Sequence, residues 1–194
     1  MNTIIGRVIS ANTRGFVFGT RVPKTDVPVF GSLVKTKIAY RDTTVFGLIY
    51  DIQVLEDGMT KMLSVADNVK PEDIAFQRRR RVPVEAHVLL VGYREGAGAI
   101  RHGLPAQPPI TLDEIACCEP DEVSEFTQKQ DFFRIILESR DCPADELIAA
   151  SVREAGAMRG ESQRKTFALE CGRELARLLA NDGARLEGLL RRIQ

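Results

Sequence analysis

Val45-Phe46-Gly47-Leu48-Ile49-Tyr50-Asp51-Ile52-Gln53-Val54 carries the clearest period-two pattern in the chain. Phe46, Leu48, Tyr50, Ile52 and Val54 alternate with Gly47, Ile49, Asp51 and Gln53. Successive side chains of an extended backbone point to opposite sides, so this alternation predicts a strand with one strongly apolar face. Leu55 breaks the pattern, and Glu56-Asp57-Gly58 reads as a hairpin-type turn. Upstream, Val34, Thr36, Ile38 and Tyr40 fall on one face of a further strand, with Lys35 and Lys37 on the other, before Arg41-Asp42-Thr43 turns the chain.

Working outward, Ile4-Ile5-Gly6-Arg7-Val8-Ile9 is rich in β-branched residues and ends at a turn signal, Asn12-Thr13-Arg14-Gly15. Phe16-Val17-Phe18 follows as a short strand, then a loop containing Pro23 and Pro28. Met62 to Phe76 has no single period, although Pro71-Glu72-Asp73 resembles a helix start. Val82 to Tyr93 is strand-like again, and its run Val88-Leu89-Leu90-Val91 predicts burial on both faces. Several short strands separated by turns point to a closed barrel, which leaves no sheet edge exposed. Gly92 to Pro109 is rich in breakers and reads as irregular.

The period then changes. Glu119-Pro120-Asp121-Glu122 puts Pro at a helix's first turn with acids at its positive dipole end. Asp131 is placed to cap a helix carrying Phe132, Phe133, Ile135, Ile136 and Leu137, and Pro143 opens another through Leu147, Ile148 and Val152. Phe167, Cys171, Leu175, Leu178 and Leu179 recur at helical spacing. Asn181-Asp182-Gly183 interrupts that stripe before Leu186, Leu189, Leu190 and Ile193 resume it. This stripe reads as core or as an interface for a second copy or another protein. The fold class is therefore α+β: a small antiparallel β-barrel over residues 1–110, followed by a helical domain or extension over residues 111–194.

Hydrophobic residues make up 44% and charged residues 28% of the 194, which excludes disorder of the whole chain. The net charge of zero hides an asymmetry: residues 1–110 hold 15 Lys/Arg against 10 Asp/Glu, and residues 111–194 hold 12 against 17. That pattern reads as a positive surface on the first part, as docking between the halves, or as two solvated surfaces. Cys117, Cys118, Cys142 and Cys171 form no C-x-x-C pair, and only His87 and His102 could join them, so free thiols in a reducing cytoplasm are expected and no metal site. No apolar run or leader predicts a membrane span or export.

Three short motifs carry a family resemblance: Ile5-Gly6-Arg7-Val8, Phe30-Gly31-Ser32-Leu33-Val34-Lys35, and Val45-Phe46-Gly47-Leu48-Ile49-Tyr50-Asp51-Ile52. In this order they resemble the HAS-barrel, the small barrel of HerA-type DNA-translocating ATPases and of the N-terminal regions of ATP synthase subunits. There a G-x-V opening, a G-x-x-V strand start and a G-x-V-x-x-I strand recur; here Ile49 stands at the Val position of the last. The likeness spans roughly Thr3 to Pro109. HerA-type proteins continue into a P-loop ATPase domain, but this chain has no Gly-Lys dipeptide and therefore no G-x-x-x-x-G-K-[ST]. The resemblance implies a barrel without its motor, and barrels of this family chiefly mediate assembly and contacts with subunits or partner nucleases.

The most conspicuous local feature is Arg78-Arg79-Arg80-Arg81. With Arg94 and Arg101 it forms the candidate nucleic-acid or partner-binding set. Four guanidinium groups can clamp phosphates in a salt-dependent way, or pair with acids such as the stretch Glu119 to Glu125, or simply stay solvated. Aromatic interleaving is poor, with only Phe76 close by. Gly96-Ala97-Gly98 lacks the third glycine and following helix of a dinucleotide fingerprint, so it reads as a flexible loop. His87, in the most apolar strand, reads as a buried structural histidine, and His102 as a loop residue without a nearby nucleophile. No catalytic constellation and no cofactor are expected. The expected function is a non-enzymatic assembly or adaptor protein working with a protein partner or a second copy, in DNA handling beside a HerA-like ATPase. A nucleic-acid-binding barrel is the alternative.

Overall fold

The computed structural model describes residues 4–22, 28–38, 40–55, 58–74 and 82–193. Its strands are β1 (Ile4–Ala11), β2 (Gly15–Val22), β3 (Leu33–Ile38), β4 (Thr43–Val54), β5 (Val82–Glu95), β6 (Arg101–His102) and β7 (Glu114–Cys117). The helices are α1 (Gly58–Val65), α2 (Pro120–Phe126), α3 (Phe132–Glu138), α4 (Ala144–Ala157), α5 (Glu161–Leu178) and α6 (Gly183–Ile193). The strands pair in the order β2-β1-β7-β3-β4-β5, and β2 pairs back onto β5, so six antiparallel strands close a barrel. β6 adds a short rung to β5.

The fold is α+β, as the two sequence periods predict. One strand of the barrel comes from beyond the Gly/Pro-rich segment: β7 pairs with β1 on one side and β3 on the other, past the border drawn at residue 110. That segment is also more regular than its breakers suggest. β5 runs on to Glu95, Gly96 turns at a φ of 54°, and β6 returns to pair with Gly92 and Tyr93. Gly58 opens α1 rather than closing a hairpin turn; Glu56 and Asp57 lie outside the described residues. Residues 71–74 are helical, as Pro71 predicts.

The barrel interior is filled by Val8, Phe16, Phe18, Val34, Val45, Ile49, Val88, Leu90 and Ile115. Its outer face over β3, β4 and β5 is equally apolar. There Leu33, Phe46, Leu48, Leu89 and Val91 join one core with Phe126, Phe132, Phe133, Ile136, Leu147, Leu175 and Leu189 of the helices. This explains why Val88 to Val91 is apolar throughout: alternate residues serve two different cores. Burying a large apolar side chain contributes about 1.5–3 kcal/mol. The five outer-face residues together therefore contribute on the order of 10 kcal/mol before the entropy of ordering them is subtracted. Barrel and helices thus share one core.

The phase of β4 slips where the sequence alternates most cleanly. Its pairing with β5 shifts register between Ile49 and Asp51, as at a β-bulge. Phe46, Leu48 and Tyr50 face the helices, yet both Ile49 and Ile52 pack toward the barrel interior.

Helix starts follow local chemistry only in part. Pro120 occupies the first turn of α2, and Glu122 Oε2 accepts a hydrogen bond from the Glu119 backbone N–H at 2.8 Å. Asp131, by contrast, sits at the start of α3 in helical conformation and makes no side-chain cap. The apolar stripe of α5 and α6 turns inward: Phe167, Cys171, Leu175, Leu189 and Ile193 are buried.

Candidate interaction surfaces

Lys35 follows Val34 on β3 and so points out of the barrel, where α2 covers it. Its ammonium pairs with the Glu122 carboxylate, and the side chains are only 11% and 26% exposed. Glu122 also accepts from the Glu119 N–H, so one carboxylate starts α2 and fastens it to the barrel. Three residues along α2, Glu125 Oε2 lies 2.5 Å from Arg94 Nη2 on β5. The Arg94 guanidinium carbon also lies 5.8 Å from the centre of the Phe46 ring. Arg14 and Asp141 make a looser third link at 3.5 Å. The charge asymmetry between the two halves is thus used for docking, through a basic barrel face and acidic helices.

These contacts decide much of the candidate arginine set. Arg94 is committed to Glu125 and is not a free cation. Arg101 is exposed on β6, opposite Tyr93. Arg78, Arg79, Arg80 and Arg81 lie outside the described residues. Sequence reading missed Lys35 and Glu122 as partners because each looked sufficient alone, one as a polar strand face and the other as a helix start. The available signal was the acidic cluster in the first turn of α2 set against a basic strand.

Neither histidine sits where its sequence context suggests. His87 is only half-buried, on the outside of β5, with its ring 6.0 Å from Tyr50 at an edge-on angle. His102 is built into the helical core, its ring centre 4.7 Å from Phe126 and 5.3 Å from Phe132. Its Nε2 lies 3.0 Å from the Phe126 carbonyl oxygen. Burial pushes the His102 pKa down, partly opposed by that carbonyl, so the neutral ring donates Nε2–H.

Clefts of contrasting character open among the described residues. A polar one of about 450 Å³ at one end of the barrel is lined by Asn12, Arg14, Tyr50, His87 and Asp141 among others. Burial, then the Asp141 charge, raises the Tyr50 pKa and keeps its phenol a donor. Cys142 nearby is also pushed up by burial, as are Cys117, Cys118 and Cys171, so none of the four thiols is poised as a thiolate. Among the described residues, no group of three or more His, Cys, Asp or Glu side chains is placed to hold a metal ion. No helix among them is long and apolar enough to cross a membrane.

The second cleft is larger and of opposite character. It is a groove of about 850 Å³ between α4, α5 and α6, floored by Val152, Phe167, Ala168, Gly172, Leu190 and Ile193. It exists because Ala168, Gly172 and Ala176 are small; the Leu190 side chain approaches so closely that a Cβ on Gly172 would lie 3.3 Å from it. Leu169 stands beside the floor with 64% of its surface exposed. Arg153, Arg164, Lys165 and Arg173 line the same groove, against the single carboxylate of Glu161. An apolar floor rimmed by charge is suited to binding a macromolecular surface. No family model matches this chain, and no curated protein matches its sequence.

Proposed function

We propose that this chain is a non-catalytic assembly module: a HAS-like barrel braced by helices, presenting a protein-docking surface in DNA handling beside a HerA-like ATPase. One observation carries the docking part: the helical face leaves an apolar, cation-rimmed groove open, while the described cations facing the barrel–helix junction are neutralised internally. The closed six-stranded barrel supports the HAS-like part, together with two of the motif glycines. A Cβ on Gly31 would lie 2.6 Å from Ala150 Cβ, and one on Gly47 would overlap Val88 Cγ1. The motif thus marks points where strands and helix approach too closely for any side chain.

Light scattering after size exclusion, with a mixed-sequence oligonucleotide at about 0.1 M and about 1 M salt, tests this reading. The assembly reading predicts no oligonucleotide complex in either condition. A complex that forms at low salt, dissolves at high salt and disappears when Arg78 to Arg81 become alanine would replace it with the nucleic-acid reading.

A further inference from the structure

The groove between α4, α5 and α6 has a length, a floor and a charge, and together these specify an occupant. Its α5 wall runs from Glu161 to Ala176. At 1.5 Å per residue that is about 22 Å, or roughly four turns of helix. The floor is aliphatic apart from Phe167, whose ring is covered by the Arg159 guanidinium at 4.0 Å. A stack of nucleic-acid bases therefore finds no free aromatic platform there. An amphipathic helix finds a trough of matching length, which its residues at i, i+3, i+4 and i+7 can fill.

Charge then selects the kind of helix. The groove holds four cations and one carboxylate, although residues 111–194 as a whole carry more acid than base. Lys165 Nζ lies 3.5 Å from Glu161, and Arg153 donates to the Arg192 carbonyl oxygen at 2.8 Å. Arg164 and Arg173 have no ion-pair partner among the described residues. Arg164 and Lys165 also stand near the start of α5, where the helix dipole is already positive and cations are disfavoured. The rim is unsatisfied in a direction that negative charge would relieve. A second copy docked face to face on the same groove would set cationic rim against cationic rim.

We propose that this groove binds an acidic amphipathic helix of a partner protein, of about four turns, with aliphatic residues in the trough and Asp/Glu along its flanks. This rests on the assembly reading and names its partner class. The test uses the full chain and three labelled helical peptides of about 16 residues. All three share one Leu/Ile face, and their flanks are Glu, Gln or Lys.

Fluorescence anisotropy at about 0.1 M salt should show the Glu peptide binding at least about tenfold tighter than the Lys peptide, a gap that narrows at about 1 M. The exposed double variant R164E/R173E should invert that order. Leu169→Glu, at a largely exposed position that leaves the far-ultraviolet circular dichroism unchanged, should weaken binding of all three. Lys-peptide binding equal to or tighter than Glu-peptide binding overturns the acidic partner while leaving protein docking intact. A concentration-dependent dimer abolished by Leu169→Glu hands the groove to a second copy, which overturns the inference but keeps the assembly reading. No binding by any peptide removes the groove as a helix site; the assembly reading then stands or falls on the oligonucleotide measurement alone.

Discussion

Gly31→Ala probes the junction on which the single-unit fold depends. Gly31 is buried between β3 and α4, its φ is 87°, and its N–H donates to the Ile49 carbonyl at 2.8 Å. A methyl group there would lie 2.6 Å from Ala150 Cβ, 2.8 Å from Ala150 C and 2.9 Å from Ser151 N. Two costs add. An L-residue in the left-handed region costs about 1–2 kcal/mol, and forcing a methyl against helix backbone costs about 1–3 kcal/mol. The expected loss is about 2–5 kcal/mol, a large part of the roughly 5–15 kcal/mol that holds a domain folded. Urea unfolding should be followed by circular dichroism at the helical minimum and by tyrosine fluorescence, since the chain has no Trp. Both signals should shift together in Gly31→Ala, because barrel and helices share one core. Ala150→Gly in the same background should recover only part of the loss: it removes the Cβ contact, leaves the helix backbone in place, and itself costs about 1 kcal/mol as a helical glycine. A change below about 0.5 kcal/mol, the usual range of a neutral surface substitution, or separate midpoints for the two signals, would refute the packing argument.

Three further substitutions test other parts of the structure. Lys35→Met leaves the Glu122 carboxylate half-covered without its ammonium and should cost about 1–3 kcal/mol. Adding Glu122→Gln should restore part of that, and a double variant no better than the single would show that the pair is not coupled. Thr36 is 2% exposed inside the barrel, and its Oγ1 has no hydrogen-bond partner. Thr36→Val should raise the urea midpoint, by about 1 kcal/mol in stability, and a lowered midpoint would mean the hydroxyl is satisfied after all. His102 holds its proton less tightly folded than unfolded, so its stabilising effect is complete above about pH 6.5. It declines as pH falls through the lower folded value. His102→Gln, which keeps a donor for the Phe126 carbonyl, should flatten the stability profile just below about pH 6.5; an unchanged slope there would assign it to other groups.

The barrel strands were legible because one face of each is apolar whatever lies on the other. What sits on that other face was not legible. Phe46, Leu48 and Leu89 look like any alternating strand residues, but they form the floor on which the helices pack. Only the unbroken run Val88 to Val91 betrays a second core. β7 was hidden for a different reason. Glu114-Ile115-Ala116-Cys117 is too short to show a period, and its strand identity comes from β1 and β3 on either side. The register slip in β4 leaves no trace in the residues themselves, since Asp51 and Ile52 satisfy a perfect alternation on paper. The groove was invisible for a related reason: the buried stripe of α5 was readable, whereas Ala168, Gly172 and Ala176 look unremarkable until α4 and α6 stand beside them.

A shared core bears on the proposed adaptor role. If the helices were tethered by a linker, a partner in the groove would hang at variable distance from whatever the barrel touches. Here α2 is fastened to β3 by Lys35–Glu122 and to β5 by Arg94–Glu125, and α4 lies against Gly31 at contact distance. The groove is formed from α4 itself and the two helices packed on it. A partner seated there is therefore held in fixed orientation to the barrel, with no linker entropy to overcome on assembly. The charge scheme adds direction to that rigidity. Glu122 and Glu125 of α2 are spent against the barrel, whereas Arg164 and Arg173 in the groove have no ion-pair partner among the described residues. Acid on a partner is thus drawn to the groove rather than to the barrel–helix junction, which favours joining unlike surfaces over stacking like ones.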